Sequence, residues 1–245
     1  MSTWQSAAAL NNAEWCDTVV RSHGGITRFG SDAWTSRHRT PVYYPDAVTL
    51  APGLVVPELL SCIDTSIGCS VKDSFTELDL TPYGFGVLFE AAWIVRLGPP
   101  PPPTSGGPEW KRVVLSGELA KWEDAWRPEG GPKGTFKPEL LERASVAVLA
   151  AYRGDAVIAG AILNCSATVI GLSNVFVGPG ADLDPWPGCL AFAGELFPDT
   201  PVVGYESGDS LLQAERNGFR TVGSLRVWTN DGGALGQLLG GASAK

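Results

Sequence analysis

Tyr205 and Glu206 close the run P-V-V-G-Y-E, an extended apolar segment that stops directly before Ser207-Gly208-Asp209, where a helix is predicted to start. A carboxylate at such a strand end is placed to take a proton from an amine or to orient a polar substrate, provided partial burial lifts its pKa toward neutrality. The alternative is that Ser207 or Asp209 caps the helix and Glu206 only complements its dipole. A second stretch, V-F-V-G-P-G-A-D-L-D-P-W-P-G from Val175 to Gly188, leads an apolar strand into a glycine loop and then a helix. Main-chain amides hold phosphate groups in that arrangement. The loop brings Asp182 and Asp184 and no basic side chain, so the same carboxylates can equally cap the helix beginning near Pro185.

Other chemically able residues read as structural. His23 follows the predicted helix that carries Cys16, and seven residues of helix separate their Cα atoms by about 10 Å, too far for a nucleophile and its base. Glu90 lies inside the apolar run L-F-E-A-A-W-I and calls for an exposed sheet face or a basic partner such as Arg96. Trp93, Trp186 and Trp228 suit either the core or an apolar substrate pocket between two halves.

The elements that must position these residues follow from hydrophobic periodicity and turn residues. In the first half a helix is predicted over Ala7 to Ser22, stopped by Gly24-Gly25. Strands follow at Ala47 to Leu50, Cys69 to Phe75 and Val87 to Val95, with a short helix from Pro57 to Ile63. In the second half Val113 to Leu115 is extended, Gly117 to Trp126 and Glu139 to Ala144 are helical, and Arg127 to Pro138 is an exposed loop. Val146 to Tyr152 and Val157 to Asn164 form a hairpin across Arg153-Gly154-Asp155. Then come a strand at Thr168 to Val177, a helix at Cys189 to Leu196, a strand at Pro201 to Tyr205, a helix at Ser210 to Arg216 and a strand at Thr221 to Trp228. Five consecutive prolines within Gly98 to Pro108 form a stiff polyproline segment. The chain thus divides into an N-terminal half over 1–97, a linker over 98–110, a C-terminal domain over 111–230 and a tail over 231–245. Gly84-Phe85, followed by a strand to Trp93, parallels Gly218-Phe219, followed by a strand to Trp228, as in a duplicated unit.

Composition bounds the function classes. Of 245 residues 44% are hydrophobic and 18% charged, as in a folded globule. A net charge of −8 without any basic run argues against nucleic-acid partners. Two histidines and five cysteines, without any C-x-x-C, form no zinc pattern, so no metal is expected and the thiols read as reduced and mostly buried. No signal peptide and no spanning run is recognisable, which predicts a cytoplasmic protein without a membrane partner. The richness in Ala, Gly and Trp suits a bacterial genome.

From Val146 to Trp228 the order hairpin, long strand, glycine loop, helix, strand, helix, Gly-Phe, strand resembles the GCN5-related N-acetyltransferase (GNAT) superfamily. The residues that carry the resemblance are V-I-G-L-S-N-V-F-V-G-P-G and G-Y-E-S-G-D-S-L-L-Q-A-E-R-N-G-F-R-T-V-G, within roughly a third of the chain. It implies an α/β (α+β) fold with a mixed, mostly antiparallel sheet flanked by helices. It also implies that the strand ending near Val177 splays from its neighbour, and that Val175, Val177, Gly178 and Gly180 hold an acyl-CoA. Two departures bear on that role. Pro179 removes an amide donor between the glycines, and Ala214 stands where the family commonly has a tyrosine that protonates the leaving thiolate.

The function expected is therefore an acyltransferase that moves an acyl group from acetyl-CoA or another acyl thioester to a small amine or amino-acid-like metabolite. Glu206 and Tyr205 are the catalytic candidates, and a homodimer is a further expectation. The competing expectation is a GNAT-like fold that has lost CoA binding and serves as a small-metabolite-binding protein or a non-acetylating enzyme.

Overall fold

The computed structural model describes residues 3–100 and 107–230; most of the polyproline run and the tail over 231–245 lie outside the described residues. Helix α1 (Thr3–Ser22) opens the chain. Strands β1 (Thr27–Phe29), β2 (Ala33–Ser36) and β3 (Ala47–Thr49) follow, then α2 (Val56–Ser61), β4 (Cys69–Asp73) and β5 (Gly86–Arg96). The second half holds β6 (Glu109–Arg112), α3 (Ser116–Trp126), β7 (Val146–Arg153), β8 (Ala156–Cys165) and β9 (Ile170–Val177). It ends with α4 (Trp186–Leu196), β10 (Val202–Glu206), α5 (Gly208–Arg216) and β11 (Arg220–Asn230).

All eleven strands join one sheet in the order β1-β2-β3-β4-β11-β5-β10-β9-β8-β7-β6. Its pairs are antiparallel except β3 with β4 and β9 with β10. The two strands that end the halves are exchanged. β5 lies between β10 and β11, and β11 lies between β5 and β4, so neither half holds its own terminal strand at its edge. The Gly-Phe parallel noted in the sequence therefore falls on β5 and β11, which run antiparallel at the centre of the sheet.

Helices cover both faces. α1 and α3 pack on one through Trp15, Val19, Trp122 and Trp126, meeting Val148, Ile162 and Phe176 of the sheet. α4 and α5 pack on the other through Leu190, Ala193 and Ala214, against Leu149, Leu163 and Ile170. Close approach on the first face requires Gly160. A Cβ there would sit 2.3 Å from Trp122 Nε1 and 2.8 Å from the Leu149 carbonyl, which accepts that indole N–H at 2.8 Å.

Several expectations change. The extended segment expected at Val113 to Leu115 lies earlier, as β6, which takes Glu109 and Trp110 out of the linker because they pair with Tyr152 and Ala151. Glu139 to Ala144 is a single 3-10 turn over Pro138–Glu142. The loop from Arg127 to Pro138 is not wholly exposed. The buried Glu123 carboxylate accepts the amides of Gly134 at 2.8 Å, Thr135 at 2.5 Å and Phe136 at 3.1 Å, folding Phe136 against Trp122 and Trp126. Glu90 is exposed and pairs with Arg226, not Arg96, at 2.6 Å. The cysteines are free thiols. Cys16, Cys69 and Cys189 are buried, and Cys62 is exposed. His23 hydrogen-bonds through Nε2 to the Thr135 carbonyl at 2.8 Å.

Candidate active site

The parallel pairing of β9 with β10 ends at Gly171 and Val203. Beyond that point β10 keeps only β5, with Tyr205 opposite Trp93 and Glu206 opposite Ala92, while β9 keeps only β8. The strands therefore part well before residue 177, where the sequence placed the opening. The displacement has a local cause. Asn174 adopts a left-handed φ of 53°, and Asn174-Val175 oppose the single residue Ala161, a β-bulge that bends β9 away.

The opened edge carries main-chain donors. Gly178 N–H is spent on the Ile158 carbonyl at 2.8 Å. Since amides alternate along an extended strand, the N–H of Val177 points to the opposite, unpaired edge. Val175 lines the cleft, and Gly180 sits in the following turn with φ of 73°.

The phosphate end of the predicted site is filled by the chain itself. Asp184 Oδ1 accepts the Trp186 N–H at 3.0 Å, and its Oδ2 accepts the Asn217 side-chain amide at 2.9 Å. Its carboxylate thus sits at the start of α4, where a phosphate would otherwise find the helix dipole. Pro187 has no N–H, and a Cβ on Gly188 would lie 2.1 Å from Trp110 Nε1, so that indole covers the first turn. The α4 terminus is therefore taken by the chain's own carboxylate and indole and does not fit a diphosphate.

On the α1 face the cleft is roofed by Asn11, Asn12, Trp15 and Cys16 and closed at the side by Tyr43 and Tyr44. Asn11 and Asn164 hold the roof in place: the Asn11 side-chain amide donates to the Asn164 carbonyl and that of Asn164 to the Asn11 carbonyl, both at 3.1 Å. Gly171 is required beneath them, because a Cβ there would stand 2.0 Å from Asn11 Oδ1.

Both catalytic candidates line this cleft. Tyr205 packs edge-on to Trp93 at 5.6 Å. Glu206 is half-buried, and burial pushes its carboxyl up to about 8. Ser207 takes the N-cap position of α5 without a side-chain cap hydrogen bond, and Asp209 stands in the first turn. Ala214 is fully buried in the core and leaves no hydroxyl on α5 at that position.

Two lining residues escaped the sequence reading. Lys72 of β4 is 3% exposed, donates to Asn12 Oδ1 at 2.8 Å and stands 3.9 Å from the Tyr205 ring centroid. Tyr44 is 8% exposed, and its Oη, with Trp15 and Asn174 as its polar neighbours, makes no hydrogen bond of good geometry. Burial drives its hydroxyl pKa well above the usual value. The sequence carried little signal for either. Ser70, Lys72 and Ser74 alternate like the solvent face of a strand, and Tyr-Tyr-Pro reads as a loop.

No family model and no curated protein matches the chain. Solved structures do match its architecture. A GCN5-related N-acetyltransferase from Kribbella flavida superposes with a TM-score of 0.67 over 94% of this chain and 98% of its own, at 16% identity. A GNAT-family protein from Novosphingobium aromaticivorans gives 0.58 over 90% and 96%, at 13% identity. A conserved protein of unknown function from Staphylococcus epidermidis gives 0.52 over 67% and 73%, at 12% identity. The fold is that of the GCN5-related N-acetyltransferases. It is shared by this chain over nearly its whole length, the N-terminal half included, where the sequence resemblance began only at Val146. Among the described residues no group of side chains could hold a metal ion, and no helix is long and apolar enough to cross a membrane.

Proposed function

We propose that this protein is an N-acyltransferase of the GNAT superfamily that transfers an acyl group from an acyl thioester, such as acetyl-CoA, to a small amine or amino-acid-like metabolite. One observation carries the reading: the β9/β10 opening beyond Gly171 and Val203, lined by Val175 on one edge and Glu206 on the other, with strand alternation turning the Val177 amide to the same open edge.

The thioester supplies the activated acyl group. The chain's residues do the rest. Glu206, with its carboxyl near 8, takes a proton from the incoming ammonium, and the neutral amine attacks the thioester carbonyl. The Val177 amide donates to the oxygen on which negative charge develops, at an edge that needs no reorganisation. The α1 roof and Trp93 exclude water, so the thioester is spent on the amine rather than on hydrolysis. The leaving thiolate finds no tyrosine at position 214, so its proton comes from another donor.

The test is calorimetric titration with acetyl-CoA and with S-acetylpantetheine, followed by amine-dependent thiol release. Because Asp184 occupies the α4 terminus, the diphosphate adds little, and the two donors are expected to bind within about tenfold of each other. Failure of both to bind, or thiol release that no amine accelerates, refutes the reading.

A further inference from the structure

The charge inside the cleft runs against that of the molecule. The chain as a whole carries −8, yet the ionised group at the bottom of the cleft is the Lys72 ammonium. Among the described residues no Asp or Glu forms an ion pair with it. An ammonium has three protons. One is given to Asn12 Oδ1 and the Tyr205 ring takes the positive face, which leaves donor capacity directed into the cleft. A buried charge so incompletely matched favours an anion.

Tyr44 supplies a second, independent observation. Its hydroxyl is buried without a hydrogen bond of good geometry, and both Tyr44 and Lys72 lie within electrostatic range of Cys16, with Tyr205 beside each. An orphaned buried hydroxyl costs about 1 to 3 kcal/mol unless something satisfies it. Here the backbone that carries the ring is held by its own loop. Tyr44 N–H donates to the Pro41 carbonyl at 3.1 Å, and Thr40 Oγ1 donates to the Tyr44 carbonyl at 2.5 Å. Asp46, fully buried and paired with Arg39, accepts the amides of Thr40 and Ser70 at 2.9 Å each. A buried hydroxyl on a held loop, without a hydrogen bond of good geometry, suits a ligand site.

We infer that Lys72 and Tyr44 form a carboxylate subsite, so that the acceptor is an amine bearing a carboxylate, an amino acid in the broad sense. This deepens the acyltransferase reading and rests on it for the role of the second substrate. The carboxylate is held by the Lys72 ammonium and the Tyr44 hydroxyl, and the amine extends toward Glu206. Lys72 and Tyr44 come from the N-terminal half and Glu206 from the C-terminal one, so the subsite faces the base only because β4 and the Tyr43-Pro45 loop are folded against β10.

The experiment is calorimetric titration of the full chain with the twenty common amino acids and with the carboxamide of each that binds. Acids are expected to bind about 10- to 100-fold more tightly than their amides. In Lys72→Met that ratio falls to near one, in Lys72→Arg it survives, and Tyr44→Phe lowers it about 3- to 10-fold. The ratio is read within one protein, so partial destabilisation of a variant cancels; retained melting cooperativity confirms that each variant is folded. S-succinylpantetheine against S-acetylpantetheine tests the other source of the same chemistry. A Lys72-dependent preference for the succinyl donor, with amines and acids indistinguishable, supports the subsite and places the carboxylate on the acyl group. No saturable binding by any acid or by the succinyl donor, or an acid preference unchanged in Lys72→Met, overturns the inference. Because acetylpantetheine binding is measured separately, a failed transferase reading is told apart from a failed subsite.

Discussion

Replacing Glu206 with glutamine tests the base assignment through stability as well as rate. Burial lifts the folded carboxyl from 4.5 to about 8. Between those values the unfolded chain has lost the proton and the folded chain has kept it, so stability is full below 4.5 and falls as pH rises until about 8. At about 1.4 kcal/mol per pH unit the whole interval would amount to roughly 5 kcal/mol, and residual water at this half-buried group reduces it to roughly 2 to 4 kcal/mol. Glutamine has no such loss. Urea unfolding at intervals from pH 5 to 9 should therefore show Glu206→Gln gaining on the parent as pH rises, then holding a constant advantage. In the same variant kcat/KM for acyl transfer should drop about 100- to 10,000-fold, and the ascending pH limb centred near 8 should vanish. Stability curves that stay parallel across that range, within about 0.5 kcal/mol, would refute the reasoning, since burial would then not be penalising the carboxylate.

Three further outcomes follow from the packing. Asp184→Asn keeps one acceptor oxygen for the Trp186 N–H, gives up the bond from the Asn217 amide, and removes a charge worth about 1 to 3 kcal/mol against a phosphate at ~5 Å, so calorimetry should show tighter acetyl-CoA binding and unchanged S-acetylpantetheine binding. Gly160→Ala forces a methyl against the Trp122 indole and the Leu149 carbonyl and should cost about 2 to 4 kcal/mol, read as a lower denaturant midpoint at unchanged slope. A fragment over residues 107–245 should fail to unfold cooperatively alone, because β5 is missing from between β10 and β11, and should regain a single transition when mixed with residues 1–106.

The chain's local grammar set most of the elements. The hairpin of β7 and β8 is legible because Gly154, at φ of 61°, turns two apolar runs back on each other, and α3, α4 and α5 follow from their spacing and stops. The glycine loop after β9 and the carboxylate after β10 likewise stood out as chemistry. β1 and β2 were not legible. They are three and four residues long and carry no run of β-formers.

What only the tertiary structure decided is which strands meet. The exchange of β5 and β11 depends on pairing between segments more than a hundred residues apart, and hydrogen-bonding edges carry no address in their own sequence. That exchange brings Lys72 of the first half over Tyr205 of the second, and it makes a residue on an apparently solvent-facing alternation the charge at the bottom of a cleft. The bulge at Asn174 shifted the opening toward Gly171, and Asp184 filled the helix terminus that a phosphate would need. Residue types announced that a proton could be moved here, but their separation in space, set by long-range pairing and close packing, determined where and against what.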